Sequence, residues 1–162
     1  MPSPIAHGVT GYVLSNSLPL KKLNFYLFYG VFVAIAPDFD FIPQWITGEK
    51  FHRGVTHSLV FALAFSLIAA GLIHYSRKDS YKLIFFCTFI IYSSHLFLDM
   101  FSMGSPGIKL LFPFSNDYIR ASFLIFPPID YTLGLFHPSY LVFLGVELGY
   151  SILLLILLRI VK

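Results

Sequence analysis

Charge is scarce in this chain. Asp, Glu, Lys and Arg make up 12% of its 162 residues, half of the roughly 25% that a soluble domain carries. A surface so poor in charge cannot be dressed for water, which excludes a soluble globule. The same figures exclude a disordered tail, a collagen-like or coiled-coil rod and a basic nucleic-acid-binding domain. No nucleic-acid partner is therefore expected, and a net charge of +3 implies no polyanion by itself. Cysteine is nearly absent too. Cys87 stands alone, so there is no intramolecular disulfide and no Cys-rich zinc site. Residues 1–5 hold no Lys or Arg, where a cleavable signal peptide would have its basic region; if His7 is functional, the start of the chain belongs to the mature protein. What the chain has in quantity is apolar: 57% of residues, with a mean hydropathy of +0.77. These figures describe one small integral membrane domain over residues 1–162.

Four apolar runs cover residues 23–37, 56–75, 82–101 and 138–161. At 1.5 Å per residue the last three reach about 30 Å, enough to cross a bilayer core, while the first is marginal. Residues 4–18 form a weaker fifth segment, because they include His7, Thr10, Ser15, Asn16 and Ser17 beside small Ala6, Gly8 and Gly11. That mixture suits a short helix surrounded by other helices. The expected fold is an all-α, polytopic membrane bundle of about five helices, one of them short. An irregular loop region is expected on its outer side.

With five crossings, Lys21, Lys22, Arg77, Lys78, Lys82, Arg159 and Lys162 fall on one side, and Lys50, Arg53, Lys109 and Arg120 on the other. The positive-inside rule makes the first side cytoplasmic, with the N-terminus out and the C-terminus in. Asp38, Asp40, Glu49, Asp99, Asp117 and Asp130 then gather at the outer face; Asp79 is inside and Glu147 lies within the last span. Acids and histidines collect at one face while bases hold the other, the mark of a site.

His95 and Asp99, four residues apart, share one helical face, as two metal ligands do or as a pair tying helices together would. Asp38 and Asp40 follow Pro37, which is expected to end its helix. Two carboxylates so close repel unless a cation or Arg lies between them, although a solvated turn with a capping Asp has the same pattern. His52-Arg53-Gly54-Val55-Thr56-His57-Ser58 precedes an apolar span. Ser58 or Thr56 could cap that helix and Arg53 could snorkel to headgroups. Two histidines and an arginine at membrane depth nevertheless point to function. Together His7, Asp38, Asp40, His57, His95 and Asp99 offer nitrogen and oxygen donors suited to Zn²⁺, Mn²⁺ or Fe²⁺. The set is large enough for two ions if one carboxylate bridges.

These motifs resemble a known family. An early His7, A-x-x-P-D-x-D (Ala34, Pro37, Asp38, Asp40), H-R-G-x-T-H-S (His52 to Ser58), H-x-x-x-D (His95, Asp99) and a downstream Gly107, Leu110, Pro113 stretch look like the YdjM family of inner-membrane, metal-dependent hydrolases, LexA-regulated in some bacteria. The likeness runs from about residue 7 to 114, and its H-R-G-x-T-H-S block is the most specific part. It implies a helical hydrolase of the bacterial inner membrane whose His and Asp residues bind metal. A looser likeness is to helical zinc-dependent phospholipases C and nucleases, where clustered metals cleave phosphodiesters. Some relatives place a His directly after D-x-D; here that position is Phe41.

The expected activity is hydrolysis of a membrane-lipid phosphoester, in a phospholipid or a polyprenyl carrier, by metal-activated water at the outer face. Arg53 would clamp the phosphate with paired hydrogen bonds. His52 would act as general acid or base, with Asp40 the alternative base if it is not a ligand. Thr56 and Ser58 would orient ligands. The competing expectation is a non-catalytic metal-binding or transport-related protein. A carrier would want polar groups through the midplane, where only Glu147, Ser93, Ser94 and Thr88 offer them. Glu147 sits roughly 13 Å below the outer end of its helix and reads as a hydrogen-bonded partner of a neighbour. His74 and His137 are assigned no function, and Trp45 suits the interfacial belt. Residues 102–137, with prolines at 106, 113, 127 and 128, are expected as an irregular flap over the site, where Lys109 and Arg120 could add to anion binding.

Overall fold

The computed structural model describes residues 2–20, 24–48, 52–128 and 137–161. Lys21, Lys22, Glu49, Lys50, Asp130 and Lys162, which entered the charge balance, lie outside the described residues, as does 129–136 of the loop region.

Among the described residues the chain is helical and forms no strand. Its α-helices are α1 (Pro4–Ser17), α2 (Asn24–Ile35), α3 (Phe41–Thr47), α4 (Leu59–Arg77), α5 (Tyr81–Asp99) and α6 (Ser139–Val161), with 3₁₀ turns at Ala36–Asp40 and Val55–His57. The starts follow from capping chemistry. Ser3 accepts the Ile5 N–H with Pro4 directly behind it, and Ser58 and Ser80 accept the N–H groups of Phe61 and Leu83, each satisfying an orphan donor.

Among the described residues, four segments are long and apolar enough to cross a membrane: Asn24–Thr47, Leu59–Arg77, Tyr81–Asp99 and Ser139–Ile160. α1 is shorter, at about 21 Å, yet it runs the depth of the bundle. Leu18 and Leu20, just beyond it, pack with Tyr26, Ile73 and Ile84 at the far end. The bundle is apolar on the outside, and polar side chains are buried within it beside its apolar clusters. Ile68, Leu72 and Leu141 are largely exposed, whereas His7, His57, His95 and Asp99 are completely buried.

α1 packs against α2, α5 and α6, while α2 and α4 both pack on α5. The α1–α2 contact depends on absent side chains. A Cβ on Gly11 would lie 2.3 Å from the Gly30 carbonyl oxygen, and one on Gly30 would lie 1.6 Å from Ser15 Oγ. This close backbone approach is how membrane helices associate when lipid tails are as apolar as their own side chains.

One expectation needs correction. Pro37 does not end the helical run. The α-helix stops at Ile35, but the chain tightens into the 3₁₀ turn and continues as α3 to Thr47. A proline in the first turn of a helix loses no hydrogen bond it would otherwise make, so Pro37 re-aims the chain without breaking it. Asp38 and Asp40 are consequently buried inside the run instead of solvated beyond its end.

Candidate metal centre

Four pieces of chain converge at one end of the bundle: the start of α1 with His7, the 3₁₀ turn with Asp38 and Asp40, the 3₁₀ turn ending in His57, and the last turns of α5 with His95 and Asp99. All six of these side chains are buried.

Hydrogen bonds fix which way each imidazole faces. His95 Nδ1 lies 2.7 Å from the Ala34 carbonyl oxygen. A carbonyl only accepts, so Nδ1 carries the proton and Nε2 the lone pair. The Ala34 carbonyl can accept because it belongs to the last turn of α2, which lacks intrahelical donors. On His57, Nδ1 lies 3.2 Å from Asp40 Oδ2 and 3.0 Å from Thr56 Oγ1. The Thr56 hydroxyl already donates to Asp40 Oδ2 at 2.7 Å, so Nδ1 is again the donor and Nε2 the acceptor.

Both Nε2 atoms therefore point inward, each carrying a lone pair when its ring is neutral. The two Nε2 atoms face one another at 3.3 Å. Asp38 Oδ1 lies 3.6 Å from His57 Nε2 and 3.5 Å from His95 Nε2, and Asp99 Oδ2 lies 3.5 and 3.9 Å from the same two atoms. Ligand atoms of Asp38, His57, His95 and Asp99 all fall within 4.8 Å of one another. His7 stacks on His95 with ring centroids 3.7 Å apart, its Nε2 3.5 Å from Asp99 Oδ1.

This arrangement calls for a cation. Among the described residues, both oxygens of Asp38 and Asp99 and both nitrogens of His7 have no hydrogen-bond partner, a costly state for buried polar atoms. A proton is one remedy. Burial works against a charge on His57, but Asp38, Asp40 and Asp99 outweigh it and push the imidazole up to about 10. A divalent ion is the other. Ligands about 2.05 Å from a tetrahedral zinc are separated by roughly 3.3 Å, close to the spacings found here. The donor set fits a borderline divalent metal.

Asp40 stands apart from that first group of four. It forms a second close group with His52 and His57. Its Oδ1 lies 2.8 Å from His52 Nδ1, and its Oδ2 accepts the Thr56 hydroxyl and the Arg53 backbone N–H. A carboxylate on the far nitrogen of a ligating histidine is the usual device for fixing its orientation. Tyr92 pins the same turn by donating to the Thr56 carbonyl. Phe41 stacks on His52 at 3.9 Å. Of the two expectations for Ser58, the structure shows the capping one: its hydroxyl donates to Val55 O and accepts the Phe61 N–H at the start of α4.

A cavity of about 550 Å³ opens onto this cluster. Asp38, His52 and Arg53 line it together with Phe39 and Phe41, and residues 2–4, 103–106 and Pro128 supply other walls. The loop region thus forms part of the cavity wall where it is described. Arg53 has φ 64°, in the left-handed region, and its Nε lies 3.9 Å from Asp99 Oδ2. Strained backbone at a non-glycine residue is characteristic of functional positions. Arg120 donates to the Ser105 carbonyl behind the cavity wall, and Lys109 sits over the Tyr118 ring. His74 bonds the Asp79 carbonyl at the other end, and His137 precedes α6, bonded to Ser139.

Two contributions had little signature in the sequence. The Ala34 carbonyl acts through backbone alone. The cavity wall at residues 2–4 is held from the other end of the chain, where buried Glu147 accepts the N–H and hydroxyl of Ser3.

Buried carboxylates and imidazoles gathered at one end of a multi-pass helical bundle define the class: a membrane protein with a group that could hold a metal ion. The chain belongs to the YdjM inner membrane protein family, whose model matches residues 1–161. That match includes the C-terminal third, where no motif was recognised. The chain is also similar to the inner membrane protein YbcI of Escherichia coli (strain K12), with 28% identity over 146 residues, covering 86% of this chain and 84% of that protein. No solved structure matches.

Proposed function

We propose that the protein is a membrane-embedded, metal-dependent hydrolase that cleaves a phosphoester of a membrane lipid. The observation that carries this reading is the shared cavity, with carboxylate Asp38 of the converging cluster, half-buried His52 and the Arg53 guanidinium on its lining. Asp38, His57, His95 and Asp99 would hold the ion, zinc or manganese, with His7 stacked behind. When bound, such an ion supplies a nucleophilic hydroxide at neutral pH and polarises a phosphoryl oxygen. Arg53 binds the phosphate through its planar fork of donors. His52 carries protons between the reacting oxygens and solvent, held in place by Asp40 and Phe41.

A two-ion centre is the second reading. It is favoured by the close Asp40–His52–His57 group, whose side chains would offer the further donors a second ion needs. A carrier role has less support, because Glu147 is engaged by Ser3. The site faces the outer, periplasmic side and the C-terminus is cytoplasmic, since Arg77, Lys78, Lys82 and Arg159 cluster at the opposite end.

The test is phosphate or phospho-headgroup release from phospholipids and polyprenyl phosphates by detergent-purified protein loaded with Zn²⁺ or Mn²⁺. Hydrolysis that is lost in His52→Ala and Arg53→Ala while metal content is kept supports the assignment. Hydrolysis unaffected by either change, or none by the loaded wild type on any of these lipids, contradicts it.

A further inference from the structure

We propose that the cleft between α2 and α4 is a binding groove for one acyl chain of a glycerophospholipid whose phosphate is held at Arg53; this rests on the lipid-hydrolase function proposed above. The cleft encloses about 350 Å³ and is lined by Tyr29 and Phe32 of α2 and by Phe61, Phe65 and Ile68 of α4, among others. α5 forms its floor. Tyr29 hydrogen-bonds Thr88 at 2.6 Å, and the Phe65 ring lies 5.1 Å from that of Tyr92. The hydroxyl of Tyr29 is thereby turned inward, leaving an apolar surface towards the bilayer.

Among the described residues, the cleft and the site cavity share no lining residue, but a half-exposed ring pair lies between them. Phe39 lines the cavity and Phe32 lines the cleft, and their rings pack against each other at 5.8 Å. A lipid with its headgroup at Arg53 can therefore pass one chain over this ring pair and down the cleft. From Phe61 to Ile73 the cleft runs about 18 Å along α4, a little over half of the ~30 Å hydrocarbon core. That depth matches a chain belonging to one leaflet, and is too short for a long polyprenyl tail. Because surrounding lipid is as apolar as the groove, the gain comes from packing. The groove should therefore select chain shape and length more than it raises overall membrane affinity.

Ala64 and Ala69 line the cleft and lie outside the site, so Ala64→Trp and Ala69→Trp should fill it without disturbing the cluster. In mixed micelles, each change is expected to raise KM for long-chain phosphatidylglycerol about tenfold, leaving kcat and the hydrolysis of a dibutyryl analogue unchanged, the signature of lost ground-state binding. Equal effects on both chain lengths, no effect on either, or undecaprenyl phosphate affected as strongly would overturn the groove. A second readout needs no turnover. Phosphatidylglycerol carrying a diazirine midway along one chain should label residues 61–73 of the purified full-length protein in preference to lipid-facing α6, and Ala69→Trp should reduce that labelling at least threefold. Even labelling of all lipid-facing helices would sink the groove whether or not the protein is a hydrolase. Selective labelling without hydrolysis would support the groove and count against the enzyme.

Discussion

Arg53→Gly separates function from stability at a single residue. Arg53 adopts φ 64°, and a left-handed conformation costs an L-residue about 1–2 kcal/mol. Glycine removes that cost but adds about 0.5–1 kcal/mol through the greater freedom of the unfolded chain. The backbone N–H that Arg53 donates to Asp40 at 3.2 Å survives the change. The lost side-chain contact is the 3.9 Å approach to Asp99, long for an ion pair, and a bound ion would satisfy Asp99 in its place. The net change in stability of metal-loaded protein is therefore expected within about 1 kcal/mol of zero. Phosphoester hydrolysis should fall by about a hundredfold or more, because a charge-assisted, two-donor contact to the phosphate disappears. Arg53→Lys keeps the charge and the backbone cost, and should recover only part of the rate. Thermal unfolding in detergent and lipid hydrolysis, measured side by side, check both halves. A loss of more than about 3 kcal/mol with unchanged turnover would show that Arg53 is a structural counter-ion and refute this reasoning.

Other consequences are equally open to measurement. Gly30→Ala should lower the melting temperature sharply or prevent accumulation, because its Cβ would lie 2.9 Å from the Gly11 carbonyl as well as 1.6 Å from Ser15 Oγ. Gly71→Ala, with nothing within 4 Å, should be neutral. Glu147→Ala should cost about 1–3 kcal/mol by leaving Ser3 donors unpaired and should expose residues 2–4 to proteolysis; Glu147→Gln, which keeps one acceptor, should lose less. The metal-free protein should also depend on pH. His57 is raised in the folded state from 6.5 to about 10, so its contribution is fully present below pH 6.5 and lost as pH rises through about 10. Chelator-treated protein should melt at progressively lower temperature across that window, whereas zinc-loaded protein, with the ion in place of the proton, should change much less.

Much of this was legible in the sequence because membrane proteins separate polar from apolar residues so strictly. Hydropathy locates the long helices, and the gathering of Asp38, Asp40, His57, His95 and Asp99 at one end follows from counting crossings. The four-residue spacing of His95 and Asp99 places both on one face without any coordinates. What stayed hidden depends on direction or on distant contacts. Whether Asp40 faces the inner cluster or the back of His57 turns on the 3₁₀ turn at Pro37, which sets D-x-D about 240° apart and has no signature in the hydropathy. The Ala34 carbonyl has no side chain to announce it. Ser3 and Glu147 stand 144 residues apart, and only the packing of α6 beside α1 joins them. The ring contact of Phe32 with Phe39, on which the groove depends, is likewise invisible among nineteen phenylalanines.

The most direct test of the metal centre is the metal content of detergent-purified protein, determined by elemental mass spectrometry beside His57→Ala and Asp99→Ala. The convergence of two Nε2 atoms and two carboxylates that lack hydrogen bonds predicts at least about one transition-metal ion per chain, reduced in both variants. No bound metal after reconstitution with Zn²⁺ or Mn²⁺, or an unchanged content in both variants, would contradict it and leave His57 as a protonated bridge among structural carboxylates.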